Sequence, residues 1–149
     1  METTKQVSIF LENRPGRLSN VLLALAREKV NIVALTIMDS HEHSVLRLVT
    51  SDAPRTIAVV EGLNASHTET DVLMVELKNQ PGALAHVCEQ LALAHINIDY
   101  AYVSSGGRNG KVFGIFKVSN PQKATQILST PTNNRRVEAR LPRNLNVGK

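Results

Sequence analysis

The chain has few aromatic residues and a single cysteine. Aromatic side chains make up 3% of the 149 residues and tryptophan is absent, which argues against the stacking platforms that bind single-stranded nucleic acid. The lone cysteine, Cys88, excludes an intrachain disulfide and is typical of a reducing compartment. It lies among Leu84, Val87 and Leu91 at helical spacing, which predicts a small buried hydrophobe and not a nucleophile.

Long apolar runs are absent as well. No stretch reaches the roughly 18 residues of a membrane-spanning helix, and Met1–Lys5 lacks the apolar core of a signal peptide. We therefore expect a cytoplasmic protein without a membrane partner.

The excess positive charge is confined to the end of the chain. The formal net charge is +4, and residues 129–149 carry all of it. The charged residues there are Arg135, Arg136, Arg140, Arg143 and Lys149 against Glu138. This composition predicts a solvated basic tail at residues 143–149, and contact with nucleic acid or another acidic partner is the alternative.

No pattern indicates catalysis. Paired carboxylates, a Ser/His/Asp arrangement and a cofactor fingerprint are absent, so we expect a non-enzyme without cofactor or metal. His41-Glu42-His43 is explained better by a polar reversal than by a metal site. The Gly-Gly-Arg-Asn-Gly segment at 106–110 lacks the Lys-Ser/Thr pair of a phosphate loop and carries a hairpin turn signal.

The dominant feature that is present is an internal repeat. Two turns, Asn13-Arg14-Pro15-Gly16 and Asn79-Gln80-Pro81-Gly82, each follow an alternating segment and precede a helical pattern, at an offset of 66 residues. Ten residues recur at this offset. In the first unit they are Leu11, Asn13, Pro15, Gly16, Leu18, Val21, Leu25, Ala26, Asn31 and Ile32. In the second unit they are Leu77, Asn79, Pro81, Gly82, Leu84, Val87, Leu91, Ala92, Asn97 and Ile98. They come from three elements, so a whole unit is duplicated.

Each unit has the element order β-α-β-β-α-β. Residue periodicity predicts strands at 6–12, 30–38, 45–50 and 65–70 of the first unit, with helices from Leu18 and after Pro54. The second unit repeats this order and closes with a strand at 136–141. We predict an α+β protein with two tandem ferredoxin-like units at residues 5–70 and 71–142. Each is a four-stranded antiparallel sheet with two helices on one face.

Three details concern the hairpins and the second strands. Pro54 and Pro121 are 67 residues apart, so the second hairpin should be one residue longer than the first. The strand at 30–38 is apolar on both faces, which predicts cover on the helix-free side as well. Tyr100 and Tyr102 should pack between the two units.

The repeated turns offer chemistry that suits a small zwitterion. A helix N-terminus favours a carboxylate, Gly16 and Gly82 permit close approach of a ligand, and asparagine amides provide both a donor and an acceptor. Asn31 and Asn97 add a second amide to each unit. An α-amino acid is the simplest ligand with both charges. The alternative is that each asparagine only caps a helix that has proline in its first turn.

The segments Leu11–Gly16 and Val30-Asn31-Ile32, with their repeats, resemble the ACT domain, a regulatory amino-acid-binding module, and especially that of phosphoglycerate dehydrogenase. The resemblance implies a ligand held between paired domains by the turn and the start of the second strand. The implied binding residues are Asn13, Arg14, Pro15, Gly16, Asn31 and Ile32, and equivalently Asn79, Gln80, Pro81, Gly82, Asn97 and Ile98. Serine-binding members have histidine where this chain has Leu11 and Leu77, so the resemblance does not specify serine.

We therefore expect a non-catalytic homodimer that binds a small amino acid between ACT domains and signals by changing domain or subunit association. One alternative is a regulatory subunit of an amino-acid biosynthetic enzyme, like the small subunit of acetolactate synthase, with that enzyme as partner. Another is a purely structural interaction module whose turns bind nothing.

Overall fold

A computed structural model describes residues 1–40, 43–104 and 111–130, which contain six strands and four helices. The first five elements are β1 (Glu2–Glu12), α1 (Arg17–Arg27), β2 (Ile32–Ser40), β3 (His43–Thr50) and α2 (Ala53–Gly62). The others are β4 (His67–Lys78), α3 (Ala83–Leu93), β5 (Ile98–Val103), β6 (Lys111–Val118) and α4 (Pro121–Ser129). None of these four helices is long and apolar enough to cross a membrane. His41-Glu42, the 106–110 loop, the closing strand predicted at 136–141 and the basic tail lie outside the described residues.

All six strands pair antiparallel in one sheet, in the order β2-β3-β1-β4-β6-β5. The first unit contributes β1 to β3 and the start of β4, and the second unit contributes the rest. The predicted α+β class with two tandem ferredoxin-like units is confirmed. The two predicted four-stranded sheets are merged, because β4 ends the first unit and begins the second.

The long strands β1 and β4 join the units through reciprocal pairing. Residues 67–69 of β4 lie opposite 7–9 of β1, and residues 71–74 lie opposite 2–5. The start of β1 thus occupies the place beside β4 where a closing strand of the second unit would pair. The boundary predicted between residues 70 and 71 falls inside β4.

Each unit buries one face of its first helix against the sheet. Val21 and Leu25 are the buried residues of α1, and Val87 and Leu91, at the repeat offset, are those of α3. Fully burying such a side chain contributes about 1.5–3 kcal/mol. The duplicated stripe therefore packs the equivalent face of each helix against the core of its own unit. Half-buried Cys88 packs beside this stripe in the second core.

The second helix of each unit has a side-chain N-cap and also supports the end of the first helix. Asp52 Oδ1 accepts a hydrogen bond from Arg55 N, and Asn120 Oδ1 accepts one from Lys123 N, both at 3.0 Å. The side chains of Arg55 and Lys123 then donate to the C-cap carbonyls of α1 and α3, at 3.3 and 2.7 Å. A cation at a helix C-terminus is favourable because it complements the helix dipole.

The sheet is curved towards its helix-free face, and its two edge strands, β2 and β5, contact one another. Ala34, Val49, Val72 and Ile115 are buried there. The helix-free side of the strand at 30–38 is therefore covered at Ala34, as predicted, but Leu35, Ile37 and Met38 of the same strand are exposed, so the cover is partial.

A hydrogen-bond network on this face links the two units. The buried side chain of Gln6 donates from Nε2 to the Tyr100 hydroxyl at 2.8 Å and to Ser8 Oγ at 3.1 Å. Its Oε1 accepts from the Tyr102 hydroxyl at 2.9 Å, and the Arg47 guanidinium lies 4.3 Å from the Tyr100 ring centroid. Burial raises the pKa of Tyr102 well above its usual value. The predicted packing of both tyrosines between the units is confirmed.

The prediction of a hairpin one residue longer in the second unit is wrong, because the difference is two. Leu48 and Phe116 occupy equivalent positions, opposite Val7 and its counterpart in β4, and they are 68 residues apart. Proline is the second residue of α2 but the first residue of α4. The distance between Pro54 and Pro121 is therefore one residue shorter than the distance between equivalent positions of the two helices.

Candidate functional site

Both predicted turns end on a glycine in the left-handed conformation. Gly16 has φ +86° and Gly82 has φ +87°, and each is the N-cap of the helix that follows. A side chain at either position would strain the backbone, although a Cβ would meet nothing within 4 Å. The repeated glycine is therefore a requirement of the turn itself.

The alternative that each asparagine caps a helix is wrong. The N-cap residues are the glycines, Pro15 and Pro81 precede them, and no side chain caps α1 or α3. The first turns of both helices therefore keep amide N–H groups without a side-chain acceptor among the described residues. Such a terminus carries a partial positive charge and suits an anion.

The surroundings of the two turns differ in charge. In the first turn, Asn13 Nδ2 donates to Asp39 Oδ1 at 3.2 Å. Glu12 Oε2 forms ion pairs with Arg14 Nε at 3.3 Å and Arg17 Nη2 at 3.2 Å. In the second turn, the residues at the offset of 66 from Glu12, Arg14 and Arg17 are Lys78, Gln80 and Ala83. The first turn thus has a rim of ion-paired side chains, whereas Lys78 is the one charged residue at the three equivalent positions of the second turn.

The second strands begin just after the other predicted asparagines. The backbone N–H groups of Asn31 and Asn97 donate to Ser51 Oγ and Ser119 Oγ at 3.0 and 3.1 Å. Both side chains are exposed, and the Asn97 amide donates to Asp99 Oδ1 at 2.9 Å. The isoleucines that follow, Ile32 and Ile98, pack against the two cores, so they position the strands.

A family profile described as an ACT domain pair matches residues 2–138, a range that includes both turns. This chain belongs to the ACT domain pair family. The resemblance inferred from the turn residues is confirmed, and the fold is that of ACT regulatory domains.

Solved structures share this fold. A protein from Bacteroides thetaiotaomicron is 33% identical, with a TM-score of 0.77 over 85% of this chain and 86% of that chain. The ligand-free regulatory subunit of aspartate kinase from Thermus thermophilus is 12% identical, with a TM-score of 0.61 over 86% and 95%. Aspartokinase III of E. coli, solved with lysine and aspartate, is 15% identical, with a TM-score of 0.53 over 85% and 30%. The last two show the fold alone. A comparison with curated protein sequences finds no match.

Within one ACT unit, the turn and the second asparagine are far apart. Asn13 precedes α1 and Asn31 follows it, and a helix of 11 residues is about 16 Å long. The two turns are also remote from each other, because β1 and β4 run antiparallel and finish at opposite ends of the sheet. One small ligand therefore does not reach the turn and the asparagine of the same unit.

Sequence reasoning missed Glu12, Arg17 and Asp39. None of the three recurs at the offset of 66, so a search for repeated residues passes over them. Glu12 and Arg17 could have been found from their positions on either side of the turn. Asp39 could not, because it reaches Asn13 only through the pairing of the strands.

One further polar group lies near the second turn of the ACT pair. His86, in the first turns of α3, has a buried Nδ1 without a hydrogen-bond partner among the described residues. Its counterpart in the first unit is Asn20. Across residues 1–40, 43–104 and 111–130, no group of three or more His, Cys, Asp or Glu side chains is placed to hold a metal ion.

Proposed function

We propose that this ACT domain pair is a non-catalytic regulatory protein that binds a small amino acid at interfaces between ACT domains. The observation that carries the proposal is the pair of helix N-termini without side-chain caps, each preceded by an exposed asparagine. The free N–H groups suit the carboxylate of an amino acid, and an asparagine side-chain oxygen suits its ammonium.

The complete site is proposed to form between two copies of the chain. Asn13 contacts Asp39 near the end of β2, Asn31 precedes the start of β2, and β2 lies at the edge of the sheet. Two β2 strands paired antiparallel about a twofold axis would place the turn of one chain beside Asn31 of the other. Exposed apolar side chains on β2 favour such an association: Leu35, Ile37 and Met38 are 41%, 45% and 55% exposed.

The proposed signal is a change in association. A ligand that bridges two chains binds the associated state better than the separate one, so it shifts the equilibrium towards the homodimer. A partner enzyme in the cytoplasm would then recognise that arrangement. No catalytic group is required for this role.

Subunit mixing tests the shared site. One variant carries Asn13→Ala and Asn79→Ala, and a second carries Asn31→Ala and Asn97→Ala. With the amino acid that gives the largest calorimetric heat with the wild-type chain, each variant should lose binding at the interface sites and give a reduced heat. After subunit exchange, about half of the dimers are mixed and each mixed dimer keeps half of its sites, so about a quarter of the wild-type capacity should return.

The exposed side chains chosen for these variants leave the cores untouched, so circular dichroism should match that of the wild type. Full binding by either variant alone would contradict the proposal. Failure of the exchanged mixture to recover binding would contradict a site shared between two chains.

A further inference from the structure

A cavity of about 190 Å³ lies beside the end of β1, on the side away from β2. It is bounded by the end of β1, the first turns of α1 and the segment between α2 and β4. Its lining combines five apolar residues with a carboxylate, a guanidinium and two amides. They are Phe10, Leu11, Val21, Leu63 and Ala65 with Glu12, Arg17, Asn20 and Asn64.

The cavity exists because the last residues of β1 extend past the first residue of β4. β4 begins with His67, opposite Ile9, and the Phe10 N–H donates to the Ser66 carbonyl at 2.9 Å. Beyond that bond, the β4 side of β1 has no neighbouring strand among the described residues. The chain turns away through Leu63, which is left 42% exposed although it is large and apolar.

The charged residues on the rim are already paired with each other. Glu12 Oε2 and Arg17 Nη2 are 3.2 Å apart, and their side chains are 50% and 49% exposed. An ion pair this exposed contributes little to stability, so a ligand with both charges can replace it at small cost. The buried Leu11 and Val21 provide an apolar floor.

We propose that this cavity binds one free α-amino acid with an aliphatic side chain. The Glu12 carboxylate accepts from its ammonium, the Arg17 guanidinium donates to its carboxylate, and the side chain lies against the apolar floor. The volume is below the range of about 300–1,000 Å³ typical of drug-sized ligands, which suits a single small amino acid.

This site goes beyond the interface site proposed above. It lies on the opposite side of β1 from the Asn13–Asp39 contact, and it needs no second chain. Its lining is not repeated in the described part of the second unit, because the residues at the offset of 66 are chemically different. Phe10, Glu12, Arg17 and Asn20 correspond to Glu76, Lys78, Ala83 and His86.

Amide NMR of the isotope-labelled full chain, titrated with valine, leucine and isoleucine, tests the proposal site by site. At up to about 10 mM ligand, enough to saturate a site with a Kd of about 1 mM, the amide signals of Asn20, Leu63 and Ala65 should move. Glu12→Gln and Arg17→Met should each weaken this binding at least about tenfold, since each removes a charge-assisted hydrogen bond. Isocaproate lacks the ammonium of leucine and isoamylamine lacks its carboxylate. Each should bind the wild-type chain at least about tenfold more weakly than leucine does, for the same reason.

Lys78→Gln, at the position equivalent to Glu12, is the matched control and should leave the titration unchanged. Absence of shifts at the three cavity residues would overturn the proposal, and so would unchanged affinity in Glu12→Gln. Shifts that vanish in Asn13→Ala but persist in Glu12→Gln would assign the ligand to the interface site alone. Cavity shifts that persist in Asn13→Ala support this site whether or not the interface site binds.

Discussion

At the scale of residues, the two turns are specified by glycine. Gly16 and Gly82 adopt positive φ angles, and the space that a Cβ would occupy is open, so backbone conformation and not crowding excludes other residues. Gly62, at the end of α2, does not have a positive φ angle, and a Cβ there would also meet nothing within 4 Å.

Gly16→Ala should destabilise the chain by about 1–2 kcal/mol, because alanine is strained in the left-handed region. Gly62→Ala is the matched control and should be neutral or slightly stabilising, by up to about 1 kcal/mol. Urea unfolding of the two variants measures both effects. Equal losses in the two variants would show that the turn conformation does not explain the repeated glycine.

The identities of the turn residues were predictable from sequence, but their contacts were not. The spacing of Asn13, Pro15 and Gly16 marks the turn. However, Gly16 is the N-cap residue of α1, and the Asn13 side chain donates a hydrogen bond to Asp39 instead of capping the helix. That partner is 26 residues away in the chain and is brought close only by strand pairing. Local turn rules contain no information on such a contact.

At the scale of elements, periodicity predicted the strands and helices well where apolar residues face a core. It missed the start of β1, because residues 2–5 are polar and have no apolar alternation. Those residues form a strand because their backbone groups pair with residues 71–74 of β4. The shared sheet therefore depends on a long-range pairing that no single segment encodes.

Tyr102→Phe should destabilise the protein by about 1–3 kcal/mol, because it leaves the buried Gln6 Oε1 without its hydrogen-bond donor. Tyr100→Phe is the matched control with a smaller expected loss, since Gln6 Nε2 retains Ser8 Oγ as an acceptor. Urea unfolding at neutral pH compares the two. A larger loss in Tyr100→Phe would contradict the network.

The same variants have a predicted pH dependence. The folded chain holds the Tyr102 phenol proton more tightly than the unfolded chain, because burial raises the pKa of Tyr102 above its usual 10.0. This stabilisation is complete below the unfolded pKa and is lost as the pH rises above it. Between about pH 9 and 11, stability should fall less steeply in Tyr102→Phe than in the wild type.

At the scale of the whole molecule, charge favours pairing of two different units. Lys5 and Asp71 lie directly opposite each other, 2.7 Å apart, and they are equivalent positions of the repeat. The hydrogen bond and charge of Asp71 raise the pKa of Lys5. If two copies of the same unit paired in this way, like charges would face each other, which is unfavourable. A second copy of the chain is therefore expected at another surface, such as the edge strands.

The central claim, binding of a free amino acid by this ACT pair, is tested most directly by calorimetric titration of the full chain with each of the twenty amino acids. We predict that at least one binds with a Kd at or below about 1 mM. Its heat should be reduced in the Asn13→Ala/Asn79→Ala variant. If none of the twenty binds at millimolar concentration, the claim is contradicted.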